Sequence, residues 1–220
     1  MSERYISSEE IDFEENYIIE LGDGSGRFEK DALIEAPEDY QVIVVQNGQH
    51  VSTFGMIPKR LNSRDIPGLK TSLFNSVVEC GIYYCKVGDR FNFTEEERVI
   101  TLKDGSQLAY AVEIADVDVV FEEPVLTLAN ILENPERDFS DPVLLTRDFV
   151  KDFILLSIDD YLIEHLEEQE FYDDGEINKN GLDTEFLDFI CDLEILIEDM
   201  FADLGIKVEL DINDLATTLY

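Results

Sequence analysis

The chain has 220 residues, 51 acidic against 16 basic, for a formal net charge of −35. This balance excludes a broad phosphate-binding surface, which needs lysines and arginines to displace counterions, and it is repelled by anionic membranes. With 45% hydrophobic and 10% aromatic residues, the chain is too apolar for a solvating tail or a disordered protein, which leaves an acidic globular one.

The charge falls in three blocks. Residues 1–40 hold 13 acids and 3 bases, residues 41–103 hold 6 and 8, and residues 104–220 hold 32 and 5. No repeat and no Pro- or Ser-rich linker separates them, so the expected organisation is an acidic N-terminal arm over 1–37 and one domain over 38–220. The first twenty residues have neither a basic region nor an apolar core of signal-peptide type. The longest uncharged run, Tyr40 to Pro58, is interrupted by Gln, Asn, Gly and His, so no transmembrane segment is expected. Three cysteines imply no disulfide framework, and a cytoplasmic location follows as the economical expectation.

In chain order, Gln41–Gln46 and Gln49–Phe54 are β-branched runs joined by Asn47-Gly48, a strong hairpin signal because a type I′ turn needs positive φ twice. Pro58 and Pro67 indicate an extended connection from Gly55 to Leu69. Cys80–Val87 is a strand candidate. A second hairpin is expected between Glu97–Leu102 and Gln107–Ile114, closed by Lys103-Asp-Gly-Ser106, with Ala115–Phe121 continuing the sheet. From Arg147 to about Glu168, Phe149, Phe153, Leu156, Ile163 and Leu166 recur near helical spacing. A second helix carries a wide apolar stripe through Phe186, Phe189, Ile190, Leu193, Leu196, Ile197, Met200, Phe201 and Leu204. Gly205 stands at its C′ position, and Asn180 or Asp183 is a candidate N-cap. Ile206–Ile212 alternates as a half-buried strand does. β-rich residues followed by two helices and a closing strand predict the α+β class.

The segment Tyr40–Leu69, with Asn47, Gly48, Phe54, Gly55, Asp65, Ile66 and Pro67, resembles the opening of the SPFH or band 7 domain of the stomatin–prohibitin–flotillin group. It is closest to the bacterial virion-core-protein-like branch. Val78–Tyr84, Val117–Val125 with its Glu123-Pro124 step, and the run from Gly205-Ile206 to Asn213-Asp214 resemble later elements of that family in the same order, so the likeness covers about residues 38–215. Met56-Ile57-Pro58-Lys59 stands where the family has a Gly-Pro-Gly turn. The resemblance implies an α+β domain of SPFH type, here without the membrane anchor and following coiled coil of many relatives.

Candidate chemistry is sparse. There is no Gly-x-Ser-x-Gly elbow, no P-loop and no dinucleotide-binding glycine pattern, so no enzyme and no cofactor are expected. His50 and His165 read as exposed or ion-paired. Cys80 and Cys85, five apart, do not have zinc-ligand spacing and read as buried thiols; Cys191 reads as core or core-edge. The segment from Glu176 lacks the first and last ligands of an EF-hand loop, with Leu187 at the twelfth position, so no metal site is expected. Two features suit a partner. One is the acidic row Asp188, Asp192, Asp199 and Asp203; the other is the basic group Lys59, Arg60 and Arg64 with Lys70, for which internal neutralisation is the simpler role. The expected function is a non-enzymatic scaffold or interaction module that self-associates or docks on a basic protein and binds no nucleic acid directly. The alternative is an acidic inhibitor, of viral origin, that mimics nucleic acid.

Overall fold

The computed structural model describes residues 13–22, 25–72, 74–102, 105–133, 143–168, 172–173, 176–177 and 182–219. Along the chain run β1 (Asn16–Glu20), β2 (Arg27–Glu29), β3 (Leu33–Ile34), β4 (Tyr40–Gln46), β5 (Gln49–Phe54), β6 (Lys59–Arg60), β7 (Val77–Glu79) and β8 (Gly81–Lys86). The long strands β9 (Gly88–Thr101) and β10 (Gln107–Val120) follow, then helix α1 (Pro124–Glu133), β11 (Val143–Thr146) and α2 (Arg147–Glu168). A small hairpin of β12 (Tyr172–Asp173) and β13 (Glu176–Ile177), helix α3 (Leu182–Ala202) and β14 (Lys207–Leu219) complete a mixed α and β chain rich in strand. It divides into two units, residues 1–88 with 121–149 and residues 89–120 with 150–220, where one domain from residue 38 was expected.

Unit 1 is built on a five-stranded sheet in the order β11-β1-β8-β4-β5. Its hairpin β4–β5 turns at Asn47 (φ 54°) and Gly48 (φ 72°), the two positive angles of a type I′ turn. One side of the sheet carries a core of Ile19, Ile34, Val42, Val44, Leu61, Ile66, Ile82 and Tyr84. Residues 16–36 are part of this unit and do not form a separate arm. Tyr17, Ile18 and Ile19 of β1 are all fully buried, while Glu15 keeps its side chain 62% exposed and pairs with Arg147 at 3.5 Å. Burying each such apolar side chain contributes about 1.5–3 kcal/mol, so a three-residue apolar run wins over its acidic surroundings. The run is too short to show a period.

Two further expectations change in unit 1. The connection from Gly55 to Leu69 is not simply extended. β6 pairs with β3, and the Asn62 side chain accepts from the Arg64 and Asp65 N–H groups (2.9 Å each), closing a compact turn. The Glu123-Pro124 step does not end a strand. β10 stops at Val120, and Pro124 opens α1, where its missing N–H is one that a helix leaves unbonded anyway.

Unit 2 packs α2 and α3 on one face of an antiparallel sheet in the order β14-β10-β9. α2 buries Val150, Ile154, Leu155, Ile158, Tyr161 and Leu162, and α3 buries Ile190, Leu193, Ile197 and Phe201. Phe153 and Phe201 join the two helices with ring centroids 4.7 Å apart. Gly205 at φ 77° ends α3 as expected, with the Ile206 N–H donating back to the Phe201 carbonyl. The buried stripe of α3 is narrower than the sequence pattern, because Leu196 and Met200 are exposed.

β14 is longer than its sequence signal, and it shares an irregularity with β10. Leu108, Tyr110, Val112 and Ile114 are buried, but beyond it the buried residues are Val117 and Val119, a change of parity. β14 changes in the same way between Ile212 and Leu215, and the register shifts between Glu113 and Asp116. A bulge of this kind lets one face of a strand stay apolar across an odd spacing.

Candidate functional site

The bulge determines what the outer sheet face of unit 2 displays. Inner positions of β10 and β14 pack against the helices, so the alternate positions point outward. Those positions bring Glu113 opposite Asp214, Asp116 opposite Asp211 and Asp118 opposite Glu209. Six carboxylates therefore stand as three cross-strand pairs of like charge. Directly opposed like charges destabilise a sheet, and a solvated surface needs no such pairing.

Two cations temper this ladder. Arg90 of β9 forms a two-pronged ion pair with Asp116, its Nε donating at 2.7 Å, and these hydrogen bonds hold the Asp116 carboxyl below the usual range. Lys207 pairs with Glu209 at 2.6 Å. Glu113, Asp211 and Asp214 have no cationic partner among the described residues. Nothing in the sequence reading singled out these six residues, although a signal was there. Glu113-x-x-Asp116-x-Asp118 and Glu209-x-Asp211-x-x-Asp214 are mirror-image spacings, as two antiparallel strands require when one bulge interrupts both.

The expected acidic row lies elsewhere. Asp192, Asp199 and Asp203 are exposed on the side of α3 that points away from the sheet, interspersed with exposed Ile195 and Leu196; the Asp188 side chain lies outside the described residues. These acids and the ladder are thus on opposite sides of unit 2. Glu194, also on α3, turns inward, and its carboxylate accepts from the Ile212 N–H at 2.9 Å beside the bulge.

The basic group belongs to unit 1 and is largely engaged there. Lys59 sits 4.9 Å from the centre of the Phe54 ring. Arg60 donates its backbone N–H to Asp65 (3.0 Å) and its guanidinium to the Asp31 carbonyl (3.3 Å). Lys70 is held through its backbone by both amide atoms of Gln46. With Arg27, Ser72 and the exposed Phe74, Lys70 lines an open, polar cavity of about 420 Å³. Arg64 uses its backbone N–H in the 62–65 turn.

Unit 2 also contains an ion pair that sequence reading missed. Arg98 of β9 grips both carboxylate oxygens of Asp159 on α2, at 2.8 and 2.9 Å, and the Tyr110 hydroxyl donates to Asp159 at 2.7 Å. Burial, then the bond to Asp159, raise the Tyr110 hydroxyl well above its ordinary pKa. The Asp159 carboxylate thus accepts from β9 and β10 at once, so the trio clamps α2 to the sheet. Its partners lie 61 and 49 residues apart in sequence, beyond any local pattern.

Cys80 and Cys85 are buried as expected, and burial pushes their thiols up to about 11 and about 12; a thiol held protonated is a poor nucleophile. Cys191 is exposed, not core, because it lies about 100° round the helix from the buried Ile190. His50 is exposed and bonds Thr53 at 3.0 Å. The His165 side chain and the segment compared with a calcium loop lie outside the described residues. Among the described residues no three His, Cys, Asp or Glu side chains converge on a metal position, and no helix is long and apolar enough to cross a membrane. No protein-family model matches the chain, and a comparison with curated proteins likewise finds no match.

Proposed function

We propose that this chain is a non-enzymatic interaction module that docks a basic protein partner on the outer sheet face of unit 2. The observation that carries the reading is the ladder Glu113/Asp214, Asp116/Asp211 and Asp118/Glu209. It concentrates repulsion that a merely soluble surface avoids, and a cationic partner relieves that repulsion on binding. Electrostatic complementarity of this kind sets partner sign and association rate, and salt weakens it.

Self-association is the less favoured mode, because it brings together two chains of −35 each. The resemblance of residues 38–215 to SPFH domains is what supports a scaffold role beside docking. Mimicry of nucleic acid ranks second. The outward acids of β14 recur every two or three residues, so two strands carry about one charge per 3.4–5 Å, at most half the axial charge density of duplex DNA.

The test is capture from a cell lysate on immobilised full-length chain at 50 mM NaCl, with elution at 500 mM and identification of what elutes. The docking reading expects a basic protein that the chain with all six ladder residues changed to Asn or Gln no longer retains. A set made up of DNA- and RNA-processing enzymes, competed off by duplex DNA, favours mimicry instead. Equal retention by both chains contradicts a role for the ladder.

A further inference from the structure

The same unit has a second feature suited to a partner, a sheet edge whose exposed charges, Glu96 and Glu97, are acidic, the one cation beside them, Arg98, being turned in to Asp159. β9 is an outer strand of the sheet β14-β10-β9. It is 14 residues long, and only Ile100 along it is buried. From Asn92 to Thr101, no backbone hydrogen bond reaches it from outside the sheet among the described residues. In an edge strand every second residue turns its N–H and C=O outward, a template for another strand. The other outer strand, β14, has β13 and α3 packed beside it.

Proteins ordinarily blunt such an edge with proline, lysine or a covering segment. Residues 92–101 contain neither proline nor lysine; they contain Glu95-Glu96-Glu97. This guard repels an acidic chain, including a second copy at −35, and attracts a basic one. The two faces of β9 further restrict what fits. Half-buried Phe93, stacked with Phe91 at 6.3 Å, lies on the helix side. Asn92, Thr94 and Glu96 lie on the outer side with Arg90 and the ladder.

We propose that the β9 edge from Asn92 to Thr101 captures an extended segment of a basic partner by strand addition, the segment alternating cationic and small apolar residues. Its cations lie on the outer side beside Glu96, on the sheet face that also carries the ladder, and its apolar residues lie beside Phe93. Ten residues of strand span about 33 Å, room for a six- to eight-residue segment. Main-chain bonds supply affinity, and the alternation supplies selectivity. The inference rests on the docking reading above and adds the conformation of what docks.

The probe is a fluorescein-labelled peptide Lys-Val-Lys-Thr-Lys-Val-Lys-Thr, with two relatives N-methylated at its odd or its even amides. Each relative has the same charge but one edge blocked. Binding to the full-length chain is followed by fluorescence anisotropy, and amide hydrogen exchange of the chain is measured with and without peptide. Strand addition predicts that at least one methylated peptide binds tenfold or more weakly than the parent. It also predicts that alternate amides within 92–101 gain protection, and that Glu96→Lys with Glu97→Lys weakens the parent tenfold or more while circular dichroism is unchanged. Equal binding by all three peptides with no protection in β9 overturns strand addition and leaves acidic docking standing. Binding by none of the peptides at 50 mM NaCl overturns strand addition, while the lysate capture decides docking separately.

Discussion

Glu113 on β10 pairs directly with Asp214 on β14, two carboxylates of like charge with no cation to separate them among the described residues. The neighbouring pairs each have one cation, Arg90 or Lys207. This end of the ladder is therefore where repulsion is least compensated. Replacing Asp214 by Lys turns a repulsive pair into an attractive one. Opposite-charge cross-strand pairs contribute about 0.2–1 kcal/mol, so Asp214→Lys raises stability by up to about 1 kcal/mol. In urea unfolding this is a higher midpoint with an unchanged slope.

Salt separates the two effects of the ladder. Screening relieves repulsion within the chain and weakens attraction to a cationic partner. Raising NaCl from 20 to 300 mM is expected to raise the unfolding midpoint of the free chain while lowering its affinity for the partner. Differential scanning calorimetry and a binding titration in the same buffers check the opposed signs.

The clamp of Arg98, Asp159 and Tyr110 should behave oppositely to the ladder. Asp159→Ala leaves a half-buried guanidinium without its acceptor and the buried Tyr110 hydroxyl with only the Leu155 carbonyl, at 3.3 Å. The loss should be about 2–4 kcal/mol, toward the lower end because Arg98 keeps 30% of its side chain exposed. Asp159→Asn keeps an acceptor for Tyr110 and should cost about 1–2 kcal/mol. Urea unfolding of the two variants checks the order.

Stability should also decline at alkaline pH. Unfolded thiols ionise at about 8.5, whereas Cys80 and Cys85 are pushed up to about 11 and about 12 by burial. Between those values the native state holds protons that the unfolded state has released. Their contribution is therefore complete below about pH 8.5 and is lost as pH rises through 11 and 12. Tyr84, raised to about 12 chiefly by burial and further by Glu35, adds to the loss above about pH 10. Urea midpoints at pH 7, 9 and 10.5 under a reducing agent should fall in that order, and Cys85→Ala should flatten the decline.

What the sequence made legible is what adjacent residues decide. Asn47-Gly48 identified a hairpin because both positive φ angles are local demands, and Gly205 ended α3 for the same reason. The span of α2 was as expected, but its buried face was not: Phe149 and Leu156, named for their spacing, are exposed, and Val150, Ile154, Leu155 and Ile158 take the core. β1 was not, since three apolar residues between glutamates carry no period, and α1 was hidden behind a proline that reads equally well as the end of a strand. The ladder could not be found from either strand alone. Glu113 and Asp214 are acids on two distant strands until pairing places them face to face, and α3 concealed them by offering a more conspicuous acidic row.

The most direct test of docking on the outer sheet face is titration of the captured basic partner into three chains at 100 mM NaCl. These are the unaltered chain, the six-residue ladder variant, and a variant with Asp192, Asp199 and Asp203 changed to Asn. The first two α3 changes and the third remove acids from the helix side of unit 2 without touching the ladder. Docking on the ladder predicts at least a tenfold loss of affinity for the ladder variant, which should also be more stable than the unaltered chain, and little change for the α3 variant. Unchanged affinity in the ladder variant, or a loss confined to the α3 variant, would contradict it.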